Sequence, residues 1–304
     1  MNIDPVIFTI HIGKITLDLR WYGVFIVGSV MVGAWVAARE MRRRGENSDY
    51  LWDGLVWALI AGMIGARLWY VANDILGGRT RYLENPISML NITEGGLHFY
   101  GAVLIGGLAA YLYARHHKLD IWLILDSVAP SLLISQALAR PANFINQELY
   151  GPPTDLPWGI PISAEHRIPP WNQLNLFPEE TTRFHPAFAY EMIWNFLAAG
   201  LLLWISRRFP QKMKPGAVVA GWLVLAGLGR FIIEWFRPDQ PRLPGTDVSY
   251  SRIVAGLMAI GGVILLLVKY EVLRLPFLPS GPTSYAIAPS GSSPSVSQKP
   301  RETN

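Results

Sequence analysis

Seven stretches of mostly apolar residues, at about 21–38, 51–72, 96–114, 119–139, 186–206, 216–236 and 250–268, leave this chain few folds to choose from. Each approaches the roughly 20 residues that a helix needs to cross a bilayer, about twice the length of a barrel strand. Inside hydrocarbon the backbone must satisfy its own N–H and C=O groups, so such runs read as helices. The expectation is an all-α polytopic membrane protein whose seven transmembrane helices occupy 21–274. No internal repeat relates the runs, which gives no support to the inverted-repeat plan of many transporters.

The short connections set the orientation. Arg39, Arg42, Arg43, Arg44, Arg115, Lys118, Arg207, Arg208, Lys212, Lys214, Lys269 and Arg274 all fall on one side, in compact clusters. The other side spreads Lys14, Arg20, Arg79, Arg81, Arg167, Arg183, Arg237 and Arg242 over much longer connections. The positive-inside rule places the dense side in the cytoplasm, with the N-terminus outside and the C-terminus inside. The net charge of +4 therefore reads as a topology signal, and nucleic acid is excluded as a partner.

Three segments lie outside the spans. Residues 1–20 lack the basic start and unbroken apolar core of a signal peptide. Their "VIFTIHIGKITLDLR" alternates about Gly13-Lys14, as an interfacial hairpin would. The 141–185 connection is too long for a turn and holds Trp158 and Trp171 among many prolines, so a small ordered extracytoplasmic cap is expected. From Leu275 the chain is rich in Pro, Ser and Gly, so 275–304 is expected to be a disordered cytoplasmic tail.

With that orientation, polar groups collect in one layer near the outer surface. Arg67, Arg140 and Arg230 lie in the outer parts of outward-running spans, with Glu234 four residues after Arg230 on the same helix face. Tyr22, His98, Tyr100 and Glu191 open inward-running spans at the same depth. Gly65, Gly95, Gly96, Gly101, Gly106 and Gly107 allow close approach of helices or of a ligand. A single arginine near the interface can snorkel to the headgroups. Three arginines and two glutamates at one level fit a shared site better, because charge in a membrane is rare and functional by default. The matching ligand is the phosphate of an anionic phospholipid, which a guanidinium binds bidentately.

Asn143 and Asn146 either read the ligand beside that phosphate or cap the end of the fourth span. Asp126, nearer the cytoplasm, is either a packing acid or a proton-relay acid. The six histidines have no metal-ligand spacing, and cysteine is absent, so any reacting thiol belongs to a substrate.

The stretch "ARPANFINQELYG" at 139–151, followed by "PPTDLPWGI", resembles the signature of the bacterial prolipoprotein diacylglyceryl transferases. "RWYGVFIVG", "GARLWYV", "GGLHFYG", "HPAFAYE" and "GRFIIEWFRPD" match in order, and the resemblance runs to about residue 270. It implies a cofactor-free, metal-free enzyme of the bacterial cytoplasmic (inner) membrane with its active site toward the outer leaflet. Such an enzyme transfers the diacylglyceryl group of phosphatidylglycerol to the lipobox cysteine of a prolipoprotein signal peptide, forming a thioether and releasing glycerol phosphate. Arg140, Asn143, Glu148 and Gly151 take its lipid-binding signature positions, Tyr22 its first-span tyrosine, and Arg230 and Glu234 its sixth-span pair.

Tyr100 stands where many members carry histidine, with His98 two residues earlier, so the general base stays open between His98, Tyr100 and the leaving phosphate. Ala226 stands where some members carry tyrosine, and Ala139 and Ala142 where glycines are common. The expected site is thus Arg140, Arg230, Tyr100 and His98 for catalysis, with Arg140, Asn143, Asn146, Glu148, Gly151, Tyr22, Arg67, Glu191 and Glu234 on the lipid. Glu148 and Glu234 are expected to orient the arginines.

Two other functional classes compete. A retinal pigment needs a lysine in its last span, and 250–268 has none. A lipid or anion transporter with an outer-leaflet phosphate site needs polar groups along a path across the membrane. Here the cytoplasmic halves are almost wholly apolar apart from Asp126.

Overall fold

In the computed structural model, residues 4–12, 15–91, 95–276 and 281–287 are described. The expected helices are there, preceded by a hairpin. Strands β1 (Val6–Ile12) and β2 (Ile15–Arg20) pair antiparallel, with Thr9 opposite Asp18 and Phe8 opposite Leu19. The expected Gly13-Lys14 turn lies outside the described residues. Phe8, Ile10 and Leu19 are exposed on the hairpin.

Among the described residues eight α-helices follow: α1 (Trp21–Arg43), α2 (Asp49–Leu76), the one-turn α3 (Arg81–Glu84), α4 (Phe99–His116), α5 (Ile121–Ile145), α6 (Ala187–Arg208), α7 (Ala217–Ile233) and α8 (Tyr250–Lys269). Among the described residues, six helices are long and apolar enough to cross a membrane: α1, α2, α5, α6, α7 with the turn after it, and α8. Helix α4, expected as a seventh span from residue 96, begins only at Phe99. The left-handed glycines Gly95 and Gly96 and the extended His98 precede it, and Arg115 and His116 close its 18 residues.

The chain forms two compact units. The first takes Met1–Met41 and Trp122–Tyr285, hence the hairpin, most of α1, helices α5 to α8 and the connection after α5. Its core packs Ala129 and Leu133 of α5 against Ala198, Ala199 and Leu202 of α6 and Val218 of α7. The buried carboxylate of Glu40 holds Arg207 at 2.8 Å, joining α1 to α6. Small residues let α7 and α8 touch: a Cβ on Gly227 would lie 2.6 Å from the Ala255 carbonyl.

Asp126 is a packing acid. Its carboxylate accepts the backbone N–H of Gly216 (2.6 Å) and of Val219 (2.7 Å), two of the orphan donors at the start of α7. The Tyr285 hydroxyl donates to the same carboxylate at 2.8 Å.

The second unit takes Arg42–Ile121 and Ala286–Asn304. Helices α2 and α4 pack backbone to backbone through glycines: a Cβ on Gly65 would lie 2.4 Å from the Gly101 carbonyl, and one on Gly101 2.2 Å from the Gly65 carbonyl. The Ala286 N–H donates to Asp120 at 2.8 Å. Within the expected tail, Tyr285 and Ala286 find carboxylate partners; residues 277–280 and 288–304 lie outside the described ones.

One further expectation changes. Helix α5 does not stop at 139 but runs to Ile145 with Pro141 inside it, so Arg140 and Asn143 are helical residues. A proline removes one helical hydrogen bond, and most helices end before it. Here the turn is carried on by the Asn146 N–H to the Ala142 carbonyl (3.0 Å) and the Glu148 N–H to the Asn143 carbonyl (2.9 Å). The chain then leaves through left-handed Gln147 and Leu149, and the Gln147 side chain accepts the Ser163 N–H at 2.7 Å, pinning that turn.

The connection that follows has a small core of its own, made of Tyr150, Ile162, Trp171 and Phe184. The Tyr150 hydroxyl accepts the Ile168 N–H (2.7 Å) and donates to the His166 carbonyl (3.0 Å). Burial raises the Tyr150 phenol above its usual pKa, so it stays a neutral structural pin.

Candidate active site

Within the first unit, α5, α6 and α7 bring guanidinium and carboxylate groups together. Arg140 on α5 makes a short ion pair with Glu191 in the first turns of α6. Its Nη1 donates to Asn143 Oδ1 at 3.2 Å, while its Nε is buried with no hydrogen-bond partner among the described residues. Asn143 is itself buried, and its amide donates to Glu148 at 2.7 Å; Asn146 reaches the same oxygen at 3.4 Å. The expectation that Glu148 orients Arg140 directly is thus corrected. Glu191 is the partner of Arg140, and Glu148 acts one residue further out by fixing the Asn143 amide. Neither asparagine side chain caps α5.

Arg230, near the end of α7, sits 3.1 Å from Glu234, the i,i+4 pair read from the sequence. Glu234 is fully buried and also accepts the hydroxyl of Ser249 at 2.7 Å. Ser249 in turn caps α8 by accepting the Arg252 N–H. One carboxylate therefore ties the arginine to the α8 start.

Arg140, Glu191 and Arg237 all lie within electrostatic reach of Arg230. Arg237 is buried and makes both halves of a fork to Asp239, at 2.9 Å each. Burial would raise Asp239, but the Arg237 guanidinium holds its carboxyl below the usual range. Three arginines thus face three carboxylates. The cluster has no strong net field, so it would recognise an anion through N–H donors left unused rather than through bulk charge.

Gly151 is a packing residue. Its N–H donates to the His185 carbonyl at 2.8 Å, and a Cβ there would lie 2.9 Å from His185 Cβ and 3.0 Å from the Phe236 carbonyl. Tyr22, on the first turn of α1, is half exposed.

Arg67, His98 and Tyr100 belong to the second unit. Arg67 is not free to bind phosphate as expected. Its Nε donates to the Met89 carbonyl (2.7 Å), Nη1 to the Gly95 and Gly96 carbonyls (3.0 Å each) and Nη2 to the Ser88 carbonyl (2.9 Å). Four of its five N–H groups are spent on holding the segment between α2 and α4. His98 opens α4 and stacks on Tyr100 at 5.4 Å; its Nδ1 is buried without a hydrogen-bond partner, and Tyr100 is exposed. Ala58, Gly62, Ala66, His98 and Ala102 line a groove of about 490 Å³ there.

The sequence reading missed two residues of this neighbourhood. His185 and Tyr190, both inside the "HPAFAYE" match, pair through His185 Nδ1 and Tyr190 Oη at 3.0 Å. Trp158 Nε1 donates to the same hydroxyl at 2.8 Å. Among the described residues no group of three or more His, Cys, Asp or Glu could hold a metal ion.

Against known proteins, the model of the family described as prolipoprotein diacylglyceryl transferase matches residues 5–268. The chain belongs to that family. It is 37% identical over 244 residues to a phosphatidylglycerol–prolipoprotein diacylglyceryl transferase of Chloroflexus aggregans, with 78% of each chain covered. A protein of the same name from Thermosynechococcus vestitus is 37% identical over 269 residues, covering 88% of this chain and 94% of its own. One from Enterococcus faecalis is 32% identical over 261 residues, covering 86% and 90%. The family match takes in both units and every residue of the arginine–carboxylate cluster.

Proposed function

We propose that this chain performs the reaction of its family: it transfers the diacylglyceryl group of phosphatidylglycerol to the thiol of a prolipoprotein. The thiol is the lipobox cysteine of the signal peptide, and glycerol phosphate leaves. The observation that carries this reading is Arg140. It is oriented by Glu191 and Asn143, yet keeps a buried Nε–H with no partner, close to a second arginine.

In this reading Arg140 and Arg230 bind the phosphate of the lipid. Asn143, fixed by Glu148, reads the oxygens beside it. Attack by sulfur on the glycerol carbon expels a phosphate monoester, and the two guanidinium groups stabilise its growing charge where it appears, without reorganising. Glu191 and Glu234 keep them in place. Arg67 organises the segment before α4 and takes no part in phosphate binding.

The protein is a multi-pass membrane protein, and the seven-span plan is part of this proposal. The six long helices and α4 all cross, with the dense basic connections in the cytoplasm, and the phosphate site faces the outer leaflet under the cap. A transporter has no comparable support, since family and cluster both point to group transfer.

The test is direct. Purified protein, vesicles containing phosphatidylglycerol and a peptide bearing a lipobox cysteine are combined, and the peptide is weighed by mass spectrometry. We expect the peptide to gain a diacylglyceryl group. An unmodified peptide, with the protein folded and the lipid present, sinks the reading.

A further inference from the structure

A thiol with a pKa near 8.5 is mostly protonated at neutral pH, yet the thiolate is the nucleophile. In the arginine–carboxylate cluster Glu191, Glu234 and Asp239 are engaged by arginines, and Glu148 by the amides of Asn143 and Asn146. We infer that Tyr190 and His185 form a proton relay: the Tyr190 hydroxyl receives the thiol proton while handing its own to His185 Nδ1. The inference rests on the transferase reading above.

The hydrogen-bond inventory defines the relay. An indole N–H only donates, so the 2.8 Å bond from Trp158 occupies one lone pair of Tyr190 Oη. With His185 neutral, the tyrosine O–H donates to Nδ1 at 3.0 Å and leaves one lone pair unused. With His185 protonated, Nδ1–H donates back, and the tyrosine O–H points to where the thiolate now is. Both states satisfy every partner without moving a heavy atom.

Position agrees with this role. Tyr190 directly precedes Glu191, the partner of Arg140, on the first turns of α6. The His185 backbone carbonyl accepts the Gly151 N–H of the signature loop. Its ring lies 5.1 Å from that of Phe236, in the turn that begins at Glu234. The chain segments that build the phosphate cluster therefore also surround the relay.

The titratable group that touches the imidazole is Tyr190. Glu191, Glu234 and Arg237 adjoin its contact residues on α6 and in the turn after α7, and Tyr150 adjoins Gly151. Burial lowers His185 below its ordinary value, so the ring is neutral and able to accept at neutral pH. Both side chains are only partly buried.

The step balances without a cofactor. The S–H proton passes to Tyr190 Oη, and the tyrosine proton passes to His185. The sulfur electron pair forms the S–C bond to the glycerol carbon that bore the phosphate. The C–O bond breaks, and its electron pair leaves on the phosphate held by Arg140 and Arg230. The imidazolium then returns its proton through Tyr190 to the departing phosphate monoester.

Tyr190→Phe keeps the ring and its packing on Phe236 while deleting the relay oxygen. We expect kcat to fall on the order of 10²-fold, at the low end for a general base, with the KM for phosphatidylglycerol vesicles unchanged. His185→Asn should fall similarly, and the double variant no further than the worse single one, as members of one unit do. Wild-type kcat should decline on an acid limb lying below the ordinary imidazole value of about 6.5, because burial lowers His185, a limb that His185→Asn lacks.

A peptide with selenocysteine in place of cysteine carries a nucleophile already ionised at neutral pH. It should restore Tyr190→Phe to near the wild-type rate and leave Arg140→Ala inactive. Wild-type kcat in Tyr190→Phe, or a loss that the selenol does not repair, overturns the relay alone. No transfer by the wild-type protein overturns the transferase reading and the relay with it.

Discussion

Arg67 and Arg140 look alike in the sequence: each stands near the C-terminal end of an apolar run, among small residues. Their surroundings differ in kind. Arg67 gives four N–H groups to backbone carbonyls at 2.7–3.0 Å and so ties down the chain that enters α4. Arg140 is held by side chains, one carboxylate and one amide, and retains a buried N–H with no partner. Carbonyl oxygens consume a guanidinium. A carboxylate on one edge orients it and leaves the rest of the fork for a ligand. Arg237 marks a middle case, with a full fork given to Asp239.

Substitutions at three residues test that difference. The largest effect is expected for Arg140→Ala. Removing one preorganised donor from a developing oxyanion typically lowers kcat by roughly 10²–10³, and we expect at least that loss in the mass-spectrometric assay, with the protein still folded. Arg140→Lys should recover little, since an ammonium cannot reproduce the fork.

Arg67→Ala should invert the pattern. Hydrogen bonds to a charged group contribute about 1.5–3 kcal/mol each, in part replaceable by water, so we expect at least ~2 kcal/mol of lost stability. The segment 86–91 should become sensitive to protease, while phosphatidylglycerol binding per folded molecule is unchanged. A headgroup-affinity defect as large as that of Arg140→Ala would erase the distinction.

The smallest effect is expected for Asp239→Asn, about 1 kcal/mol for a partly exposed pair. Because the folded-state pKa of Asp239 is depressed, its stabilisation is complete above about pH 4 and is lost as acid protonates it. The difference in Tm between wild type and variant should therefore shrink as pH falls from 6 to 3. A gap that persists unchanged at pH 3 places its origin outside the ion pair.

Much of the architecture was legible because lipid makes long apolar runs unambiguous, and alternation in "VIFTIHI" marked a strand. The i,i+4 pair Arg230–Glu234 was equally plain, since helix geometry alone joins them. The partner of Arg140 was not, because Glu191 lies 51 positions away and only folding brings α5 and α6 together. The run of α5 through Pro141 defied the usual rule, because the turn beyond it supplies replacement hydrogen bonds. Arg67 misled for a chemical reason: guanidinium suits carbonyl and phosphate oxygens alike, and the Gly95–Gly96 turn that presents those carbonyls carries no signal of its target. His185 and Tyr190 lay inside a recognised motif, but their pairing depends on Trp158 in the distant cap.

Asp126 gathers the first backbone donors of α7 at one end, and Arg230 stands near the other, with 17 helical residues in all. At 1.5 Å per residue that rod is about 25 Å long. A few degrees of swing at the Asp126 pivot would move the guanidinium by an ångström or more, enough to spoil its aim. Tyr285, hydrogen-bonded to the same carboxylate, lies at that pivot. Trimming the chain before this tyrosine, or fusing a bulky partner there, therefore tampers with the far tip of the rod although neither comes near it.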